Sequence, residues 1–202
     1  MIAADAPLRP AIAPIRRAAG ERGVLGFLRR RRHERTGYQL YCAAVAAARQ
    51  PWFYRALGVP DTLDGRFDMV GLHVFLLIRR LNALPPPGPD VAQAVFDAMF
   101  TDMDTNLREL GVSDLAVGRR VRAMWEALHG RAAAYEAALA QDDAALAAAL
   151  ARNVWRGGAV AEDAPRRLAA LVRRQAAALA QAAPAALLAG TAEFPAPEEV
   201  PA

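Results

Sequence analysis

"GVPDTLDGRFDMVGLHVFLLIRRL", residues Gly58–Leu81, joins a turn to the start of a helix. Pro60 stiffens the turn, and Asp61 or Thr62 can accept from the first free backbone N–H groups of the helix that follows. Asp64 falls in the first turn, where the positive end of the helix dipole favours a carboxylate. Past Arg66, the apolar positions Phe67, Val70, Val74, Leu77 and Leu81 recur at helical spacing. Gly65 and Gly71 weaken a helix unless another segment approaches closely, so we expect a neighbouring helix, from this chain or a partner, against them. Asp64 and Arg66 flank one of these glycines and are not required by packing, which makes the helix entrance a candidate contact surface.

The rest of the chain repeats the helical pattern. Among its 202 residues, 54% are hydrophobic, many of them alanine, and β-branched alternation is absent; this predicts an all-α, single-domain helical bundle. Helices are expected from about Arg35 to Gln50, from Pro51 through the aromatics Trp52, Phe53 and Tyr54, and from Leu63 to Leu84, where Pro85-Pro86-Pro87 stops the run. A helix opened by Gly88-Pro89-Asp90 turns Val95, Phe96, Met99, Phe100, Met103, Leu107 and Leu110 inward and closes at Gly111. Ser113-Asp114 should cap the next, whose inward stripe is Val117, Val121, Met124, Leu128, Ala132, Tyr135 and Leu139. Two more follow, from Asp142-Asp143 to Trp155 and from Asp163 towards Ala183. Residues 1–34 read as an arginine-rich leader, 35–190 as the helical domain, and 191–202 as a disordered, proline- and glutamate-rich tail.

All 25 basic residues apart from histidine are arginine, and the net charge is +4 with a pI near 9.9. The pairing of arginine with alanine reads as a GC-rich genome, and a charge of this size does not by itself mark a nucleic-acid binder. Within the leader, the short apolar patch Val24-Leu25-Gly26-Phe27-Leu28 is followed directly by Arg29, Arg30, Arg31 and Arg32. Such a patch suits an anionic membrane surface, at about 1 kcal/mol per basic side chain, or RNA phosphates, or a solvated leader. No apolar run of membrane-spanning length and no secretory signal layout appears.

Chemistry finds little purchase. Cys42 is the single cysteine, on an apparently apolar helix face where it acts as a small hydrophobe. Ser113 is the only serine and sits at a cap, and no nucleophile elbow or phosphate-binding glycine pattern occurs. Glu126-Ala-Leu-His129 is one Glu-x-x-His pair where a di-metal bundle needs two. His33, His73 and His129 are scattered, and Asp68 and His73 are misaligned on their helix. We therefore expect no catalytic residues, metal site or cofactor. His73 reads as a core or boundary histidine with one hydrogen-bonded nitrogen. Arg79 and Arg80 suit the negative end of their helix. Arg119 and Arg120 lie with Arg122 at a helix start, the unfavourable end for cations, which invites a partner or a nearby carboxylate face. Asp97, Thr101 and Asp104 form an acidic row with Arg108 beside it.

Three blocks carry a family resemblance: PWFYRALGVPDTLDGRFDMVGLHVFLLIRRL, then MFTDMDTNLRELGVSDLAVGRRVRAM, then HGRAAAY. In this order, within roughly Tyr41 to Leu139, they resemble the ubiquinol–cytochrome c chaperone family, assembly factors for cytochrome b of the bc1 complex. The resemblance implies a non-enzymatic, all-α chaperone with newly made cytochrome b as its client. Mitochondrial members act with a small partner protein near the ribosomal tunnel exit, so such a partner or the ribosome is implied here as well. The implied location is cytoplasmic, peripheral at the inner-membrane face, or the matrix in a eukaryote. Partner-binding candidates are Asp61, Asp64, Arg66, His73, Arg79, Arg80, Asp97, Asp104, Arg108, Arg119 and Arg120. The acidic row is placed to meet basic cytoplasmic loops of a polytopic client.

Overall fold

Helix α3 (Leu63–Asn82) runs through the middle of the molecule, and every residue from Phe67 to Ile78 is buried. A helix apolar on one stripe only would leave a wet face; this one is enclosed all round. The structure, a computed structural model, describes residues 24–158 and 160–197, side chains from residue 28 onward. Around α3 pack α1 (Val24–Ala48), α4 (Gly88–Glu109), α5 (Asp114–Leu139), α6 (Asp143–Val154) and α7 (Ala164–Gln181). The short α2 (Pro51–Arg55) and α8 (Pro184–Leu188) complete eight helices among the described residues, with no strand. This is the expected all-α bundle.

Glycine sets the closest approaches. A Cβ on Gly37 would lie 2.6 Å from Ala94, so α1 and α4 cross almost backbone to backbone. A Cβ on Gly71 would stand 3.0 Å from Leu128 Cδ1, which is the neighbouring helix expected there. Gly65 differs: its Cβ would meet the Pro60 carbonyl oxygen at 2.0 Å, so it is the chain's own turn, folded back, that requires glycine.

Several boundaries and faces depart from the sequence reading. Helix α1 begins at Val24 rather than Arg35, carrying Arg29–Arg32 on a helix continuous with the bundle. Residues 1–23 of the expected leader and 198–202 of the expected tail lie outside the described residues. Residues 191–197, read as disordered, instead lie along the bundle, with Phe194 packed on its core. Cys42, read on an apolar face, is exposed; the buried face of α1 is Thr36, Gly37, Leu40, Tyr41, Ala44 and Ala48. The reason is register: Gly37 against Ala94 sets which side of α1 meets α4. Leu110, expected inward, is 64% exposed because α4 outruns the core at that end. Ser113 occupies the N-cap of α5 without a side-chain capping bond.

Candidate docking surface

At the entrance to α3 the Thr62 hydroxyl accepts from the Gly65 N–H at 3.1 Å, fixing the first turn. Arg66 Nε donates to Asp61 at 2.6 Å across the cap, and this bond holds the Asp61 carboxyl below its ordinary pKa. One turn further in, Asp68 is buried, its side chain 0% exposed. Arg131 from α5 reaches it at 2.6 Å, and Arg156, from the joint between α6 and α7, donates at 2.9 and 3.0 Å. The same Arg156 donates to Asp64 at 2.8 Å, and it adopts a left-handed backbone at φ 51°. Burial lifts the Asp68 carboxyl to about 6, against the downward pull of Arg131 and Arg156. Two guanidiniums on one desolvated carboxylate make a structural pin between three elements, since removing one partner strands a buried charge.

The sequence-selected residues do not form one cluster. Asp61, Asp64 and Arg66 are exposed at the entrance but paired within the chain. Arg79 and Arg80 also hold internal partners: Arg79 donates to Glu136 at 2.9 Å and Arg80 to the Ala182 carbonyl at 3.2 Å. They rim a shallow groove of about 220 Å³ against Ala176 and Ala180 of α7. His73 is corrected as an exposed contact residue: it is 1% exposed, its ring covered by Phe53 and Phe194. Its Nδ1 donates to the Met69 carbonyl at 2.8 Å, and burial drives its pKa down to about 4, so the ring is neutral.

The remaining candidates lie on the surface of α4 and α5. Asp97 accepts from Gln93 at 2.8 Å, while Arg108 bridges Asp104, at 2.6 Å, and Asp114. Arg119 and Arg120 are exposed with no ion pair among the described residues, whereas Arg122 donates to Glu126 at 3.0 Å. Arg29, Arg30, Arg31 and Arg32 are exposed on α1 beside Leu28, 55% exposed; the Phe27 side chain lies outside the described residues. Among the described residues no group of histidine, cysteine and carboxylates is arranged to hold a metal ion.

A sequence model of the ubiquinol-cytochrome C chaperone family matches residues 55–194, from the end of α2 through Phe194. The chain belongs to this family. A solved structure, the Cbp3 homolog from Brucella abortus, superposes with a TM-score of 0.76 at 37% identity, covering 89% of this chain and 100% of that one. The chain is 26% identical over 134 residues to ubiquinol-cytochrome-c reductase complex assembly factor 1 of Xenopus laevis, covering 66% of each chain. It is 30% identical over 109 residues to the mitochondrial protein CBP3 of Saccharomyces cerevisiae, covering 52% of this chain and 32% of that relative. The chain thus spans about two thirds of the Xenopus laevis relative and one third of the Saccharomyces cerevisiae one.

The sequence reading missed Asp68, Arg131 and Arg156. One signal was present: a single aspartate inside an otherwise apolar run must find a cation. Its partners lie too far along the chain to be paired from spacing.

Proposed function

We propose that the protein is a non-enzymatic assembly chaperone that binds newly made cytochrome b and supports biogenesis of the ubiquinol–cytochrome c reductase complex. The observation that carries this reading is the family match over residues 55–194, which holds α3 to α8, together with a fold shared with the Cbp3 homolog. Two relatives bear names for assembly of that complex or for CBP3. The chain's own surface is in keeping with binding: its exposed charges line helix faces, and no described helix is long and apolar enough to cross a membrane. The acidic row Asp97 and Asp104 offers carboxylates to basic client loops, and Arg119 and Arg120 are exposed cations on α5. Work at the cytoplasmic face of the inner membrane, or in the matrix of a mitochondrion, fits such a client, with a small partner protein or the ribosome as further contacts.

Deletion of the gene followed by reduced-minus-oxidised spectra of membrane cytochromes tests the proposal. Selective loss of the b and c1 signals of the bc1 complex is the expected result, and unchanged signals overturn it. A second reading, a peripheral module that uses Arg29–Arg32 on an anionic membrane or RNA, rests on the exposure of these arginines along α1 next to Leu28.

A further inference from the structure

Beyond α8 the chain crosses the bundle as a strap, residues 191–197. Its anchor is Phe194, whose ring centroid lies 5.2 Å from the His73 imidazole at an interplanar angle of 66°. Phe53 of α2 also packs on that imidazole, at 5.6 Å and 74°. The strap is tied to α7 through its main chain: Gln175 Nε2 donates to the Pro195 carbonyl, and Arg174 donates to the Ala196 carbonyl, each at 3.2 Å.

These bonds use the groove's donors and leave its acceptors unused. Because His73 Nδ1 donates to the Met69 carbonyl, Nε2 of the neutral ring is an acceptor, and it is buried with no partner. Gln175 Oε1 is likewise buried without one, on a residue 2% exposed. A buried acceptor without a donor is unfavourable. None of the strap's N–H groups reaches them, and at Pro195, whose carbonyl Gln175 already holds, there is no N–H to give back to the same amide. Its shape fits the groove while its hydrogen bonding does not.

We propose that the groove between His73 and Gln175 is a docking site for an extended partner segment with one aromatic anchor followed by main-chain N–H donors, and that residues 191–197 are its autoinhibitory occupant. The strap holds the site by effective concentration, being part of the same chain. A partner segment with donors where the strap has proline satisfies Gln175 Oε1 and His73 Nε2 and displaces it. The inference stands on the groove alone and is independent of the client's identity.

The test uses the full chain and a fluorescent peptide, Ala-Gly-Thr-Ala-Glu-Phe-Ala-Ala-Pro, which is the sequence of residues 189–197 with alanine in place of Pro195, read by anisotropy. Phe194→Ala is expected to bind it about tenfold or more tighter than the wild type, with Phe194→Leu in between. If Phe194→Ala fails to fold, the leucine variant decides. Adding Gln175→Leu to Phe194→Leu should return affinity to the wild-type level, and the peptide retaining proline should bind more weakly. Equal affinity across wild type, Phe194→Leu and Phe194→Ala overturns the proposal, as does a gain that survives Gln175→Leu or a proline peptide that binds equally well. A strap exchanged between two copies would show as a wild-type dimer in light scattering and would also overturn it.

Discussion

Arg131 on α5 sets a guanidinium nitrogen 2.6 Å from the carboxylate of Asp68 on α3, where the Asp68 side chain is 0% exposed. Arg156 approaches the same carboxylate from the α6–α7 joint at 2.8 Å, so one buried charge ties α3 to two distant parts of the chain. Desolvation offsets most of what such pairs gain, but breaking them is severe, because the remaining charges stay buried without a counterion. Arg131 is itself 14% exposed and loses its partner in Asp68→Ala. We expect Asp68→Ala to lower the unfolding free energy by about 3–5 kcal/mol, read from the urea midpoint. A midpoint within error of the wild type would show that the pin is not structural.

His73 predicts a pH dependence whose sign is fixed by its burial. The folded pKa of about 4 lies below the ordinary 6.5, so between these values the unfolded chain binds a proton that the native chain refuses. Stability from this group is complete above pH 6.5 and is lost as pH falls towards 4, by about 3 kcal/mol in all. Asp68 works the other way, since its raised pKa of about 6 makes protonation favour the folded chain as pH falls from 6 towards 4. The two largely cancel in the wild type. His73→Phe keeps the aspartate and removes the imidazole, so the variant should gain about 3 kcal/mol on the wild type between pH 7 and pH 4. Parallel pH curves in urea unfolding would count against a neutral, buried His73.

Three glycines on helices should respond differently to alanine. At Gly65 the new Cβ meets the Pro60 carbonyl at 2.0 Å, a backbone atom that cannot step aside. Gly65→Ala is therefore expected to destabilise by about 2 kcal/mol or more. At Gly71 the nearest atom is the mobile end of Leu128 at 3.0 Å, and the gain in helix propensity, about 1 kcal/mol, roughly offsets the crowding. Gly130 faces open space on α5, so Gly130→Ala should stabilise by about 0.5–1 kcal/mol. The order of thermal midpoints, Gly65→Ala lowest and Gly130→Ala highest, checks all three at once.

What the sequence disclosed was what local physics decides. The Pro60-Asp61-Thr62 turn, the run from Phe67 to Leu81, the proline stop at residues 85–87 and the left-handed Gly111, at φ 77°, each declare an element without tertiary help. Enclosure of α3 on all sides was understated by a five-residue stripe, although the run from Met69 to Ile78 is apolar apart from His73. The faces of α1 were not legible. Its alanines leave the hydrophobic contrast too weak to orient the helix, and the contact of Gly37 with Ala94 decides instead. The tail misled for another reason: proline and glutamate lower the odds of a fold, but Phe194 over a buried imidazole, with Gln175 and Arg174 bonded to the main chain, holds residues 191–197 in place. Pairing of Asp68 with Arg131 and Arg156 is a long-range fact, and no spacing rule reaches it.

The acidic row gives the prediction that bears most directly on client binding. Asp97 is exposed and bonded only to neighbours on its own helix, and Asp104 shares Arg108 with Asp114. Exposed pairs of this kind are worth about 0.3–0.5 kcal/mol, so Asp97→Lys with Asp104→Lys should leave the thermal midpoint within about a degree or two. Charge reversal across an interface with basic loops, by contrast, introduces like-charge repulsion. The double variant is expected to recover several-fold less newly made cytochrome b in affinity capture from solubilised membranes. Replacing Arg29, Arg30, Arg31 and Arg32 by glutamine should instead reduce flotation with anionic liposomes and leave capture intact, at about 1 kcal/mol per charge removed. Capture unchanged by the aspartate reversal would move the client surface off α4. Capture lost with the arginine variant would place it on α1.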